Sequence, residues 1–370
     1  MKKVLFTATV DSHIIQFHIP YLKWFKENGY EVHVATNGNE NIPYCDIKHK
    51  ISFERNPLKL NNIKAIFSLK KIIEKEKFNI IHCHTPMGSV ATRIAAINAR
   101  KKYNTRVIYT AHGFHFYKGA PIKNWIIYYP VEKICAKWTD CLITITKEDF
   151  ELAKKKFNAK SVKHVYGIGI DTKKFDKELS EKEKELQKKR LDIKNNDIVF
   201  SYVAELNKNK NQILLINTMK ELKKEIPNIK LLLVGDGDLL TEYQQTIQND
   251  YLDDVIKLLG RRNDINEILS ITDIYLASSI REGLPVNIME AMYKGLPIIA
   301  TDNRGHRELI KDNVNGNLVS NDEKEFLKQI KNILKDKEKQ QVYEKNSRQL
   351  VNKYKLENVM KNMTKIYSNY

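Results

Sequence analysis

The stretch Glu282-Gly-Leu-Pro-Val-Asn-Ile-Met-Glu290, continuing Ala-Met-Tyr-Lys-Gly295-Leu-Pro297-Ile-Ile-Ala-Thr-Asp302, decides the reading of this 370-residue chain. Pro285 suits the first turn of a helix, where a missing N–H costs nothing. Glu282 is therefore expected in the loop before that helix and Glu290 on the helix itself. The backbone from Gly283 through Leu284 and Pro285 to Val286 is expected to offer unpaired N–H groups toward whatever Glu282 faces. A helix start with unpaired donors suits phosphate, and carboxylates beside it accept hydrogen bonds from sugar hydroxyls. Phosphate plus polyol is the chemistry of a nucleotide sugar.

Outward from this stretch, short apolar runs alternate with longer amphipathic ones. Val4–Thr9, Glu31–Thr36, Ile80–Cys83, Val107–Ala111, Cys141–Thr146 and Val162–Tyr166 read as strands of a first half. Ile198–Val203, Ile229–Val234, Val255–Leu258, Ile274–Ala277 and Ile298–Thr301 read as strands of a second. Helical spacing fills the gaps. Such alternation predicts α/β architecture with parallel sheets covered on both faces. The fold expected is two Rossmann-like, doubly wound domains facing across a cleft. Residues 1–175 form the first, 198–349 the second, and the charge-dominated stretch 176–197 is read as an exposed helix and linker.

Bulk composition sets limits. Hydrophobic residues make up 42% and charged residues 29%, as in globular proteins. No apolar run approaches the ~20 residues of a membrane-spanning helix. The start, Met1 to Val10, is too short a run for a signal peptide and meets Asp11 and His13 at once, so it reads as a buried strand. Cys45, Cys83, Cys135 and Cys141 are scattered and read as reduced thiols. The net charge is +18, unevenly spread: residues 1–178 hold 31 Lys and Arg against 16 Asp and Glu, and residues 198–330 hold 16 against 20. A basic first half fits an anionic membrane surface, or simply a solvated surface. No nucleic-acid-binding motif accompanies it, so nucleic acid is not expected as a partner.

The Glu-x7-Glu pair, the Gly-Leu-Pro after its first member, Ala291, Gly295-x-Pro297 before an apolar strand, and Gly305 with Glu308 together resemble the signature of retaining glycosyltransferases of family 4, of the capsular and exopolysaccharide type, which have the two-domain GT-B architecture. The resemblance covers nearly the whole chain and is strongest over 198–320. It implies transfer from a nucleoside-diphosphate sugar, with UDP the first guess, and no bound metal or other cofactor. It also implies a last helix, about 350–370, packing back on the first domain. Glu282 then holds the donor sugar's hydroxyls and Glu290 the ribose diol. Lys210, just after a strand, joins the 283–286 amides on the diphosphate. The backbone around Leu259-Gly260-Arg261-Arg262 and Ile265 holds the base. His112, in Thr110-Ala-His112-Gly113, reaches the transferred sugar. Glu205 departs from the pattern, since many relatives carry Arg there; it either repels the diphosphate or accepts bonds from neighbouring Asn or Lys.

Other residues stay open. Asp236-x-Asp238 reads as part of a tight turn rather than a metal site. His82 and His84 share a strand face, but no third ligand is evident, so they read as core or cleft histidines. The first loop, Thr9 to Pro20, lacks the Gly-Gly pair that many relatives use near the donor; His13 and His18 are assigned to an acceptor pocket, with His115 on the same side. Trp125 to Trp138 reads equally as an interfacial surface or a core helix. These features favour a polyprenyl-diphosphate-linked saccharide acceptor and a protein at the cytoplasmic face of the cell membrane. The competing readings are a sugar-nucleotide epimerase, a glycosyltransferase with a soluble acceptor, and a non-catalytic sugar-nucleotide-binding protein.

Overall fold

A computed structural model describes residues 1–370. The chain forms two compact units, residues Met1–Ile168 with Glu357–Tyr370, and Gly169–Leu356. Each is a parallel sheet interleaved with helices.

In the first unit the strands are β1 (Lys2–Val10), β2 (Tyr30–Asn37), β3 (Ile47–Lys50), β4 (Ile80–Cys83), β5 (Arg106–Ala111), β6 (Cys141–Thr144) and β7 (Val162–His164). Their order is β3-β2-β1-β4-β5-β6-β7, parallel throughout. β4 is fully buried and β1 is buried over Val4–Thr9, as expected of strands covered on both faces. One core lies on each face. Leu69, Ile73 and Phe78 pack on one side. Phe6, Phe25 and Ile143 pack on the other, where Val359, Met363 and Tyr367 of the final helix Leu356–Ser368 join them. His82 lies in this core: Tyr367 and Thr110 take its two ring nitrogens, each at 2.8 Å.

The second unit holds β8 (Ile198–Val203), β9 (Ile229–Val234), β10 (Ile256–Leu258), β11 (Ile274–Ala277), β12 (Ile298–Thr301) and β13 (Gly316–Val319), in the order β10-β9-β8-β11-β12-β13. Residues 169–175, read from sequence as the end of the first domain, and 176–197, read as helix and linker, fold as part of it. The helix Glu181–Arg190 starts with a reciprocal Ser180–Glu183 capping box. Leu191 and Ile193 follow it into a core with Val199, Leu232 and Val234. The dense charge of this stretch hid two apolar anchors.

Sheet order also places the loops. In each unit the winding direction reverses between two central strands, β1 and β4 in the first and β8 and β11 in the second. Loops leaving the carboxyl ends of such a pair diverge and open a crevice for ligand. Residues 204–211 and 278–285 are therefore brought together although about 70 positions separate them.

Candidate active site

The helix after β11 runs Val286–Lys294, with Pro285 extended at its N-cap rather than inside its first turn. Pro285 has no N–H, so the donors here are the N–H groups of Gly283, Leu284 and Val286, which meet no acceptor within the protein. Pro285 contributes its carbonyl to the helix, accepting from Met289 N. Unpaired N–H groups at the positive end of a helix dipole favour an anion.

Glu282 sits before this helix and accepts from Lys210 Nζ at 2.5 Å and Ser279 Oγ at 2.6 Å, both on Oε1. Behind it, Tyr202 OH pairs with Ser279 Oγ at 2.6 Å. Thr301 Oγ1 and Asn303 Nδ2 both donate to the Ser279 carbonyl. Asn303 also caps the next helix, Arg304–Leu309. Gly305 on that helix touches the Glu282 loop so closely that a Cβ there would lie 2.6 Å from Glu282 Cβ and 2.7 Å from the Gly283 carbonyl oxygen. Ser279, Tyr202, Asn303 and Gly305 thus fix the position of Glu282. Only Gly305 carried a signal in the sequence.

Lys210 is held as firmly. Its N–H donates to Asn207 Oδ1 and its carbonyl accepts from Ser278 Oγ. Asn209 Nδ2 donates to the Arg281 carbonyl, joining the two loops. The Glu205 side chain is exposed and takes no bond from its Asn or Lys neighbours; its backbone carbonyl accepts from Gln212 instead. Its charge therefore has no partner that would hold it toward Lys210.

Glu290 is half-buried on the helix and makes no hydrogen bond to the protein. Burial pushes its carboxyl up to about 7, against a smaller opposing pull from Lys174. Such a group is ready to accept from a bound diol, which would replace the water it has lost. Arg261 is exposed without an ion pair, whereas Arg262 grips Asp264 through two nitrogens. Ile265 opens the helix Ile265–Ser270 and packs partly into the core. The turn Gly235-Asp-Gly237 runs against residues 204–206: a Cβ at Gly235 would lie 1.9 Å from the Ala204 carbonyl oxygen. Asp236 spends its carboxylate on Gly237 N within this turn.

In the first unit, the missing Gly-Gly loop is replaced by helix. β1 passes directly into Asp11–Phe17, and a second helix, Ile19–Glu27, follows His18. Asp11 anchors this entry, accepting from Thr36 Oγ1, Glu40 N and Lys48 Nζ. A cavity of about 570 Å³ opens beside it, lined by His13, Pro86, Met87, Phe114, His115, Ile127 and Glu132 among others. Beneath it Arg93, fully buried, pairs with Glu132 at 2.9 Å and lies over the Tyr109 ring. Sequence reading missed this pair. Its signal is an arginine within the small-residue helix Pro86–Ala95.

His13 and His115 therefore line the cavity, His115 stacked on Tyr128. His18 does not. It is buried and stacked on His84 with ring centroids 3.7 Å apart, away from this cavity. His112 is half-buried at the end of β5, with Nε2 3.3 Å from His84 Nδ1. His84 keeps ring contact with His82, centroids 4.1 Å apart, and groups with His13, His18 and His112.

On the cavity rim, the helix Ile122–Ala136 turns Trp125 and Tyr129 inward onto the core and leaves Ile122, Ile126, Ile127 and Ile134 exposed. Leu58, Leu60, Ile63 and Phe67 are exposed as well. The segment read equally as interface or core thus packs aromatic rings inward and leaves an exposed apolar face.

Two parallel α/β units, one carrying a lysine, a carboxylate and unpaired amides at its winding reversal, define a GT-B glycosyltransferase. Residues 183–350 match the glycosyl transferases group 1 model and residues 3–146 the glycosyl transferase 4-like model. The chain is 42% identical to the putative glycosyltransferase EpsD of Bacillus subtilis (strain 168), over 100% of this chain and 97% of that protein. It is 32% identical to the Escherichia coli UDP-Gal:alpha-D-GlcNAc-diphosphoundecaprenol alpha-1,3-galactosyltransferase, over 76% and 73%. The crystal structure of Anabaena HepE (Alr3699) in complex with UDP and glucose aligns over 100% of both chains, with a TM-score of 0.80 and 18% identity. This chain belongs to the group 1 glycosyltransferases.

Proposed function

We propose that the chain transfers a sugar from a UDP-linked donor to a polyprenyl-diphosphate-linked glycan, with retention at the anomeric carbon, during assembly of an envelope or capsular polysaccharide. The observation that carries this is the meeting of Lys210 and Glu282 beside the free N–H groups of Gly283, Leu284 and Val286. In this reading the diphosphate displaces part of the Lys210–Glu282 contact and takes the ammonium and the amides. Glu282, still held by Ser279, receives donor-sugar hydroxyls. Glu290 receives the ribose diol, the backbone near Arg261 and Ile265 holds the base, and His112 touches the transferred sugar.

The chemistry follows from charge. As the glycosidic bond to the diphosphate breaks, negative charge grows on the leaving oxygen, and fixed donors in a partly dry site stabilise it strongly. Lys210 and the helix dipole supply those donors without a divalent ion at the diphosphate. The acceptor hydroxyl attacks the face the nucleotide leaves, and the leaving phosphate takes its proton. The substrates named for the E. coli relative and the UDP held by HepE support the choice of donor and acceptor class. The apolar cavity and the exposed isoleucines beside it suit a lipid-linked substrate and a protein working at the inner membrane surface. No helix is long and apolar enough to cross a membrane.

The test is nucleotide release from a panel of nucleotide sugars, with and without a lipid-diphosphate saccharide. Acceptor-dependent UDP release, lost about 10²–10³-fold in Lys210→Met and needing no added Mg²⁺ or Mn²⁺, is expected. Equal turnover in Lys210→Met and wild type would overturn the assignment. Donor binding without turnover would favour a sugar-nucleotide sensor.

A further inference from the structure

The four histidines His13, His18, His84 and His112 form a cluster in the first unit, and of them only His112 enters the donor reading. Each offers a ring nitrogen, and the four lie within 4.8 Å of one another. They come from different elements: His13 from the helix Asp11–Phe17, His18 from the junction before Ile19–Glu27, His84 just beyond β4, and His112 just beyond β5. Sheet order alone brings the ends of β1, β4 and β5 side by side.

Their hydrogen bonding is unfinished. Nε2 of His13, both nitrogens of His18 and Nε2 of His84 are buried with no partner. His18 is 1% exposed and His84 0%. Buried polar atoms are normally paired, and each exception requires a reason. Burial holds all four rings neutral, His13 with a pKa lowered to about 4 and the others held well below the usual imidazole range. A neutral imidazole is the ligating form. Protonation would place four like charges in one pocket, so a proton is not the missing partner. Water fits poorly: the space beside His18, His84 and His112 is about 10 Å³, at the lower limit for one molecule.

The geometry points to a transition-metal site, with Zn²⁺ the ion its four imidazoles suit, that pins the two N-terminal helices to the ends of β4 and β5. Zinc binds imidazole nitrogen at about 2.0–2.1 Å in a tetrahedron, which sets ligand atoms about 3.3 Å apart. The His84–His112 pair already stands at that spacing. His18 must turn from its stack on His84. Four protein ligands close the coordination sphere, so the site is structural and holds no substrate. His112 ligating through Nε2 keeps Nδ1 for the sugar. The cluster Glu31–His33–Glu76 offers a contrast, because its carboxylates already hold Lys3 and its histidine already holds Glu31 and His49. The inference is independent of the donor-site reading.

The test uses the full chain with any affinity tag removed. It is stripped with chelator and titrated with Zn²⁺ against a chromophoric competitor, and with Co²⁺ while the visible spectrum is followed. One equivalent of Zn²⁺, a tetrahedral cobalt spectrum and a higher melting temperature with zinc are expected. Affinity should fall at least 100-fold in His84→Gln and in His18→Asn, and stay unchanged in His33→Gln. Should both cluster variants misfold, the wild-type measurements decide alone. No stoichiometric metal in wild type at micromolar Zn²⁺, or equal affinity in His84→Gln, would overturn the proposal.

Discussion

Gly305→Ala should damage transfer without touching a substrate. The added Cβ would stand 2.6 Å from Glu282 Cβ and 2.7 Å from the Gly283 carbonyl oxygen. Carbon atoms rest at about 3.5–4.0 Å, so the helix start and the Glu282 loop must part by roughly 1 Å. Overpacking of this kind costs about 1–3 kcal/mol. In a unit of this size each kcal/mol lowers the melting temperature by about 2–4 °C. The larger effect is on rate. Moving Glu282 and the Gly283 amide by about 1 Å from their working positions costs on the order of 10²-fold in turnover. The assay is nucleotide release in the presence of acceptor, measured well below the melting temperature of both proteins so that unfolding does not contribute. Wild-type kcat/KM in Gly305→Ala, with an unchanged melting temperature, would refute the reasoning that this glycine positions the carboxylate.

Three further outcomes are expected. Glu290, raised to about 7 from its ordinary 4.5, binds its proton more tightly in the folded chain than in the unfolded one; its contribution to stability is complete below about pH 4.5 and is lost as pH rises through 7, at most about 3 kcal/mol in all. Glu290→Gln, which cannot ionise, should therefore gain on wild type across that window in denaturant midpoints, and parallel curves would contradict the shift. Arg93→Met leaves Glu132 buried and unpaired and should cost about 3–5 kcal/mol in urea unfolding; adding Glu132→Leu should recover much of it, and a mild single-variant loss would show the pair to be unimportant. Ile126→Glu with Ile127→Glu should weaken binding to anionic vesicles about 10²-fold or more, from lost burial of about 1.5–3 kcal/mol per isoleucine; equal vesicle binding would remove this helix from the membrane surface.

The alternating apolar runs were enough to read two parallel α/β units, because parallel strands buried on both faces leave continuous apolar stretches and their crossover helices leave periodic ones. The loop–helix placement of Glu282 and Glu290 was legible for a local reason: proline and glycine restrict the backbone within a few residues. What escaped was set by tertiary contact. Ser279, Tyr202 and Asn303 look ordinary in sequence and matter only because the loops after β8, β11 and β12 converge. His18 and His84 are 66 positions apart and were read separately, one as an acceptor residue and one as a strand histidine, although their rings stack. Leu191 and Ile193 were hidden by the charge around them, since a linker and an amphipathic edge differ by only two apolar residues.

The central claim is that Lys210, the carboxylates Glu282 and Glu290, and the 283–286 backbone bind a nucleoside-diphosphate sugar. A crystal structure of the protein soaked with UDP tests it most directly. The account predicts diphosphate oxygens about 2.7–3.2 Å from Lys210 Nζ and from N–H groups among Gly283, Leu284 and Val286, with the ribose hydroxyls on Glu290. Nucleotide bound elsewhere, with Lys210 and Glu282 still paired and untouched, would contradict it.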